Sequence, residues 1–179
     1  MKYQTYSHRF AEIIMNSNYS TKSEIEQVIK GIDFIELQNN YVTNNQALKI
    51  SGRKTRIGMQ ADLNQMFRNA FSNYLWEVEK SVFNSKSNDL TIDFWKSNIG
   101  VDVAFNHRSF IGGDLLRLQA AGEVKGVVDV GVYICGMKDF NKKISKHYGS
   151  MVNFERVKWY LENFYAVLTV PIWLIGLEE

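Results

Sequence analysis

Apolar residues recur at helical spacing in the first part of the chain. The segment TKSEIEQVIKG starts with Thr21 and Glu24 at capping-box spacing, carries an apolar stripe and ends at Gly31, so it predicts a helix. The next apolar run, IDFIEL, predicts a short strand. Residues 39–60 are polar and rich in turn-forming side chains, which predicts a mobile loop.

The longest helical pattern runs from Leu63 to Val78 and keeps the i, i+3, i+4, i+7 spacing of a core-facing helix. On such a helix, Glu77 falls inside the apolar arc. Because a carboxylate on a core-facing stripe is costly unless it is paired, Glu77 is a candidate functional residue. The alternative is a glutamate at the edge of the stripe that is paired with a lysine.

Alternating apolar positions predict two consecutive strands in TIDFWKSNIGVDVAF, residues 91–105. The apolar members are Leu90, Ile92 and Phe94 in the first strand and Val101, Val103 and Phe105 in the second. A two-residue turn at Ser97–Asn98 makes the paired residue numbers sum to 195, so Asp93 lies opposite Asp102. Strand alternation then places Ala104 on the same face as the two aspartates.

Two carboxylates on cross-strand neighbours repel each other, so one takes up a proton unless a cation lies between them. Oxygen ligands of this kind suit Mg²⁺, which also binds phosphate oxygens and promotes phosphodiester hydrolysis. A half-exposed hairpin with a merely polar outer face explains the same spacing equally well. The residues alone leave both interpretations open.

The second half of the chain completes the predicted fold. GVVDVGVYICG and VPIWLIGL are nearly continuous apolar runs and predict two buried strands. Helical patterns near residues 113–121 and 150–165 precede them. A hairpin followed by strand, helix and strand predicts an α/β fold, with a mixed β-sheet flanked by helices in a single domain over residues 1–179.

Composition and charge narrow the class of protein. The chain has 179 residues, of which 45% are hydrophobic and 22% charged, as in soluble globular domains. Its single cysteine, Cys135, excludes an internal disulfide and a cysteine-based zinc site, and we expect it to be buried. No apolar stretch reaches the roughly 18 residues of a membrane span and no signal peptide is recognisable, so we expect a cytoplasmic protein. The net charge is only +2, but cations cluster in KISGRKTR and KDFNKKISKH.

The hairpin resembles that of the PD-(D/E)xK nucleases, specifically the BglII/BstYI branch of type II restriction endonucleases. It shares the pattern IDF, with the second aspartate, in VDVAF, nine positions after the first. Similar counterparts follow in order: Phe110 and the helix after it, VVDVGVYI with its basic segment, YGSMVNFERVKWYLENF, and VPIWLIGL. YSHRF and the EIEQVIKGID helix also resemble the start of such enzymes. The resemblance is weakest between about residues 38 and 60, and it implies a restriction-endonuclease-like fold.

Carried over by position, the resemblance makes Asp93 a metal ligand and puts Asp102 at the acidic D/E position. The Val103 carbonyl is then a further ligand of Mg²⁺. The third position, which is Lys, Glu or Gln in such nucleases, is Ala104, and alanine cannot orient an attacking water. Either the sequence is an inactivated variant, or a natural relative has lost cleavage, or another residue supplies the polar group. Glu77 is the best candidate for that last possibility.

The resemblance also implies a DNA-binding surface. The residues directly after the catalytic strand enter the major groove in the resembling enzymes, where Asn and Arg suit adenine and guanine edges. Basic residues before the long helix and in the 39–60 segment are expected to bind phosphates, with a plain solvated loop as the alternative. The candidates are Asn106, His107, Arg108, Ser109, Lys142, Lys143, Lys146, His147, Ser150, Arg53, Lys54 and Arg56.

The resemblance therefore implies a homodimeric, Mg²⁺-dependent type II restriction endonuclease that cuts a short palindrome in double-stranded DNA. A two-fold symmetric protein suits a two-fold symmetric site. The alternative is a sequence-specific DNA-binding protein that keeps the nuclease fold but does not cleave.

Overall fold

The computed structural model describes residues 1–85 and 89–179, and within them six strands and seven α-helices are formed. The strands are β1 (Lys2–His8), β2 (Glu77–Ser81), β3 (Thr91–Lys96), β4 (Ile99–Ala104), β5 (Val130–Gly136) and β6 (Ile172–Glu178). The helices are α1 (Ala11–Ser17), α2 (Tyr19–Gly31), α3 (Phe34–Ile50), α4 (Gln60–Asn73), α5 (Ile111–Gln119), α6 (Lys138–Ile144) and α7 (Phe154–Asn163).

The six strands form one mixed sheet with the order β1–β6–β5–β4–β3–β2 among the residues described. β5 runs parallel to both β4 and β6, whereas the other neighbouring strands are antiparallel. The predicted mixed α/β sheet with flanking helices is confirmed. Both predicted buried strands, β5 and β6, lie at the centre of the sheet or next to it.

The sheet separates two hydrophobic cores. The first core lies between the sheet and helices α1, α2, α3, α4 and α6, and the second lies between the sheet and helices α5 and α7. Because successive strand residues point to opposite faces, β4 places Val101 in the first core and Ala104 in the second. All seven residues of β5 are buried, including Cys135, and burial raises the pKa of its thiol well above the usual value.

Helix α2 agrees with the sequence prediction in its apolar stripe and in its end at Gly31. The predicted capping box is wrong, because the helix starts at Tyr19 and Thr21 is buried within it. Glu24 binds elsewhere: its carboxylate accepts hydrogen bonds from Trp76 Nε1 (2.9 Å) and from Lys96 Nζ (2.8 Å). Glu24, which was expected to cap α2, thus connects this helix to the residue before β2 and to the last residue of β3.

Helix α3 replaces the strand predicted for IDFIEL and much of the loop predicted for residues 39–60. Asp33 starts this helix, because its Oδ1 accepts a hydrogen bond from the Glu36 backbone N–H (2.8 Å). The remaining residues, 51–59, are anchored. Tyr41 Oη donates to the Arg56 carbonyl (2.9 Å), and Gly58 pairs with Ser145 in an isolated bridge. Residues 39–50 are therefore part of a helix and not of a loop, and the mobility predicted for the rest of this segment stays a prediction.

The long helix predicted from Leu63 to Val78 ends early, at Asn73. Leu75 has a left-handed backbone with φ 60° and a mostly exposed side chain, and strand β2 starts two residues later. The apolar residues after Asn73 keep helical spacing by coincidence, so the periodicity of the sequence could not reveal strand β2. The edge strand β1 was also missed, because its residues are mostly polar or partly exposed and show no apolar alternation.

Candidate active site

The β3–β4 hairpin forms as predicted. Ser97 and Asn98 make the turn, and both have positive φ (50° and 60°), as a type I′ turn requires. The pairs Phe94–Val101 and Lys96–Ile99 each have residue numbers that sum to 195, which confirms the predicted register.

The regular β3–β4 ladder ends just before Asp93. Beyond it, side-chain carboxylates and not backbone carbonyls accept the hydrogen bonds of the backbone N–H groups. In a continued ladder, Val103 pairs with Ile92. Instead, the Val103 N–H donates to Asp93 Oδ2 (2.8 Å), and the Asp93 N–H donates to Asp102 Oδ1 (3.3 Å). The two strands therefore diverge here, and the two aspartates lie next to each other at the point of divergence.

The prediction that Ile92 and Phe94 share one face is wrong. Ile92 packs in the second core together with Ala104, whereas Phe94 packs in the first core. The side-chain alternation of β3 is interrupted at Asp93, where the ladder breaks. Asp102 and Ala104 still share one face by strand alternation, and that face points toward α5.

Asp93 lines a small cleft between the hairpin and helix α4. Asn64 and Arg68 of α4 form its other wall. Arg68 Nη2 donates to Glu79 Oε1 (2.5 Å), and Glu79 has a left-handed backbone (φ 56°) in the middle of β2. The cleft thus brings Asn64 and Arg68 of α4 to one side of Asp93, and Glu79 of β2 binds Arg68.

Asp102 is the most enclosed carboxylate of the site, with 1% of its side chain exposed. Its Oδ2 accepts hydrogen bonds from Arg117 Nη2 (2.9 Å) and Nε (3.3 Å). Arg117 Nη2 also donates to Asp114 Oδ1 (3.2 Å), and the buried Tyr133 hydroxyl donates to Asp114 Oδ2 (2.9 Å). A single guanidinium therefore connects the hairpin to α5 and, through Asp114, to β5.

Sequence reasoning missed Arg117, which binds Asp102, and the two residues behind it, Asp114 and Tyr133. Asp114 and Arg117 are three residues apart in GGDLLR, which on a helix puts them side by side. Tyr133 is a polar group in the middle of an apolar strand and therefore needs a buried partner. Neither signal by itself says which strand carboxylate the arginine meets.

Burial is the main influence on the acidity of this cluster. It raises the pKa of Asp102 to about 7, with the Arg117 charge opposing the rise and the Asp93 charge adding to it. Burial also raises the pKa of Asp93 and of Asp114. Asp102 and Asp114 bind the one guanidinium and Asp93 lies close to it, so the fully ionised cluster has more negative than positive charge.

The donor set suits a hard divalent cation. Mg²⁺ in proteins is commonly held by one or two carboxylates, with water and substrate phosphates as the other ligands. Asp93 and Asp102 supply two adjacent carboxylates and an excess of negative charge. Within residues 1–85 and 89–179, no three His, Cys, Asp or Glu side chains are grouped so as to hold a metal ion. The residues fit Mg²⁺ chemically, although Arg117 already binds one oxygen of the pair.

The third motif position provides no polar group. Ala104 is 4% exposed and packs in the second core with Ile111 and Leu115 of α5. Glu77 does not replace it. It is the first residue of β2 and not part of a helix, it is exposed, and its carboxylate pairs with Lys80 Nζ (3.0 Å). The prediction that Glu77 faces the core is wrong, and the alternative of a glutamate paired with lysine describes its position.

The candidate base-reading residues follow β4 directly. Asn106, His107, Arg108 and Ser109 are all exposed. His107 forms an isolated bridge with Met151, and its Nδ1 lies 2.8 Å from Ser109 Oγ. The chain after β4 therefore lies against the segment that precedes α7.

Residues 51–59 reach the same region from the other side. Gly58 pairs with Ser145, and the Met59 N–H donates to the Ile144 carbonyl (2.8 Å). Exposed cationic or imidazole side chains from the three segments together form what we call the basic surface: Arg53, Lys54, Arg56, His107, Arg108, Lys146 and His147. One of them is already engaged, since Arg56 Nη1 pairs with the buried Asp62 (2.7 Å).

Two predicted DNA contacts, Lys142 and Lys143, belong to helix α6 and not to the segment between α6 and α7. Lys142 Nζ pairs with Asp139 (2.6 Å), and Lys143 pairs with Glu179 at the end of β6. Ser150 donates its hydroxyl to the His147 carbonyl (2.9 Å). These side chains have partners within the protein, whereas none is seen for the exposed Lys146 among residues 1–85 and 89–179.

Comparisons with known proteins agree with this fold. The family model described as restriction endonuclease BglII/BglIII matches residues 3–177. A crystal structure of restriction endonuclease BglII complexed with a DNA 16-mer superposes with a TM-score of 0.70 at 18% sequence identity. That match covers 100% of this chain and 77% of the other. No curated protein sequence matches the chain significantly. In the part of the chain that the structure describes, no helix is long and apolar enough to cross a membrane.

Proposed function

The chain belongs to the BglII/BglIII family of restriction endonucleases, and on that premise we propose that it is a Mg²⁺-dependent type II enzyme that cuts a short palindromic site in double-stranded DNA. One observation carries the proposal: Asp93 and Asp102 lie next to each other at the point where β3 and β4 diverge, and each carboxylate accepts a backbone N–H from the opposite strand. The chain that leaves β4 leads directly into the basic surface.

In this proposal, each part of the site has a separate role. Asp93 and Asp102, with the Val103 carbonyl, hold the metal, which when bound stabilises the charge that develops on the scissile phosphate. Lysine and arginine side chains of the basic surface bind DNA phosphates. Asn106 and Arg108 have the donors and acceptors to read adenine and guanine in the major groove. The DNA in the BglII complex supports duplex DNA as the ligand.

The proposal includes a homodimer, because a palindromic site is matched by two copies related by a two-fold axis. Large apolar side chains are exposed together on α5, α7 and the turn after α7. We call them the apolar patch: Leu116, Trp159, Phe164, Tyr165 and Val167. Contiguous exposed apolar surface typically marks an interaction site. A second copy of the chain is the occupant that the palindrome requires.

Leu116→Glu is expected to produce a monomer at micromolar concentration, because it places a charge in the middle of an apolar interface. The side chain is 56% exposed in the single chain, so the folded monomer tolerates the change. Size-exclusion chromatography with light scattering measures the mass. Ile50→Glu is the matched control, since Ile50 is an even more exposed apolar residue on α3 and should leave the dimer intact. A Leu116→Glu protein that stays dimeric contradicts this interface.

Lys146→Ala is expected to weaken DNA binding several-fold and to reduce the salt dependence of binding by about one phosphate contact. Lys146 is exposed on the basic surface, whereas Lys143 pairs with Glu179. Lys143→Ala therefore serves as the control and should change the affinity less. Fluorescence anisotropy with a duplex over a range of salt concentrations gives both quantities. Equal effects of the two substitutions contradict the assignment of the basic surface.

Incubation of the protein with plasmid DNA and Mg²⁺ tests the proposed function. Discrete fragments, absent with EDTA and with Asp93→Asn, are the expected result for site-specific cleavage. Asp93→Asn keeps the size of the side chain and removes the negative charge. Non-specific degradation, or fragments that persist with Asp93→Asn, contradicts the assigned site.

A second function is favoured by the buried Ala104, which leaves the motif without its polar third residue. In this alternative, the chain is a sequence-specific DNA-binding protein that does not cleave. Specific binding without cleavage, both in the wild type and after Ala104 is replaced with Glu, Gln or Lys, supports the alternative. Absence of any DNA binding contradicts both functions.

A further inference from the structure

Arg117 binds the carboxylate that the proposed metal needs. Two of its N–H groups lie 2.9 and 3.3 Å from the same Asp102 oxygen, and that oxygen belongs to a carboxylate with 1% of its side chain exposed. Charge-assisted hydrogen bonds of this kind are shorter and stronger than neutral ones, and water competes little for them in a buried site. The pair is therefore a persistent feature of the site and not a surface contact.

The position of the guanidinium is fixed from a second direction. Asp114, one turn before Arg117 on α5, accepts a hydrogen bond from Nη2 (3.2 Å). Asp114 in turn accepts from the buried Tyr133 hydroxyl (2.9 Å). Arg117 is thus held beside Asp102 by groups from α5 and, through Asp114, from β5.

We propose that Arg117 is a resident cation that competes with the divalent metal for Asp102, so that it sets the metal affinity of the site. This inference rests on the proposed function, because it concerns the same two-carboxylate site. A divalent ion that binds Asp102 either takes up Oδ2, which the guanidinium already binds, or binds Oδ1, which accepts the Asp93 N–H (3.3 Å). At either oxygen the ion and the guanidinium repel each other at short range. Metal binding at Oδ2 therefore requires Arg117 to move away from that oxygen or to share it.

The local charges determine which way a substitution acts. Asp102 and Asp114 bind the Arg117 guanidinium and Asp93 interacts with it electrostatically, so removal of Arg117 takes positive charge away from all three carboxylates. A metal ion then gains both a freed oxygen and a stronger negative field. Arg68 is also close to Asp93, but its guanidinium binds Glu79 and its side chain is 46% exposed. Substitution of Arg68 therefore tests whether the loss of any nearby positive charge strengthens metal binding in the same way.

Isothermal titration with Mn²⁺ as the probe, at pH 8, compares the wild type with Arg117→Gln and Arg68→Gln. Arg117→Gln is expected to lower the Kd for Mn²⁺ at least about tenfold, which corresponds to about 1.4 kcal/mol. Arg68→Gln is expected to change it less than about threefold, and Asp93→Asn added to Arg117→Gln should remove the gain. An Arg117→Gln protein that binds Mn²⁺ no more tightly than the wild type overturns the proposal.

A measurement on the unaltered protein keeps the test independent of how the variants fold. The Arg117 Nε–Hε signal in a ¹H–¹⁵N spectrum, assigned by its loss in Arg117→Lys, reports on the bond to Asp102. Addition of Mg²⁺ is expected to shift this signal with the same saturation curve as metal binding. A signal that stays unchanged at saturating Mg²⁺ overturns the competition. Plasmid cleavage and DNA binding are read separately, so failure of the proposed function is distinguishable from failure of this inference.

Discussion

Replacement of Ala104 with Gln, Glu or Lys is expected to raise specific plasmid cleavage at least about 100-fold over the wild type. The backbone at this position already lies in β4, two residues after Asp102 and on the same face. A polar side chain there stands on the same face as Asp102 and supplies the group that orients water or stabilises charge. Alanine can do neither. Initial rates of supercoiled plasmid cleavage in Mg²⁺ measure the gain.

The same substitution is expected to destabilise the fold by about 1–3 kcal/mol, because it inserts a larger polar group into a filled core. Ala104 packs with Ile111 and Leu115 of α5 and is almost completely buried. Ala104→Val is the control: it adds bulk without a polar group and should give the loss of stability without the gain in cleavage. Asp93→Asn added to Ala104→Gln should remove the cleavage. A wild type that cuts as fast as the three polar variants contradicts the expectation.

The hairpin and the central strands could be predicted because local rules determine them. The type I′ turn at Ser97–Asn98 sets the register, and the buried runs of β5 and β6 have few alternatives to a central strand. The edges of the fold could not be predicted in this way. Strand β2 and helix α3 depend on a left-handed Leu75 and on the Asp33 cap, while their apolar patterns are weak or ambiguous.

The candidate site was predictable only as far as it is local. Asp93 and Asp102 lie nine residues apart in one hairpin, so pairing arithmetic places them together. Arg117 reaches Asp102 from a helix that follows β4, and no spacing rule relates a helix residue to one strand carboxylate. The error over Glu77 has the same origin, because the helix that was expected to carry it ends at Asn73.

The basic surface could also be predicted only in part. The cationic segments are visible in the sequence, but their meeting depends on two isolated bridges, Gly58–Ser145 and His107–Met151. Those bridges place residues 51–59 and 145–151 beside the chain that leaves β4. The structure also separates Lys143, which pairs with Glu179, from Lys146, which is exposed. Sequence alone treats these lysines as equivalent.

Asp102→Asn is expected to flatten the pH dependence of stability between about pH 4 and pH 7. Burial raises the pKa of Asp102 in the folded protein to about 7, above that of an exposed aspartate in the unfolded chain. The folded state therefore binds this proton more tightly, and the wild type loses stability as the pH rises through this window, by roughly 2–4 kcal/mol from this group. Asparagine carries no charge at any of these pH values, so the variant lacks that loss.

Urea unfolding in EDTA, at intervals from pH 4.5 to pH 8.5, measures the effect as the difference between variant and wild type. The difference is expected to grow in favour of Asp102→Asn up to about pH 7 and to stay constant above it. A constant offset from the lost charge–charge contact with Arg117 does not alter this shape. Asp129→Asn, at an exposed carboxylate, is the control for the loss of one negative charge outside the cluster. If the Asp102→Asn curve is parallel to the wild-type curve, Asp102 is not the carboxylate whose ionisation opposes folding. In that case the excess negative charge of the site must be carried by Asp93 or Asp114.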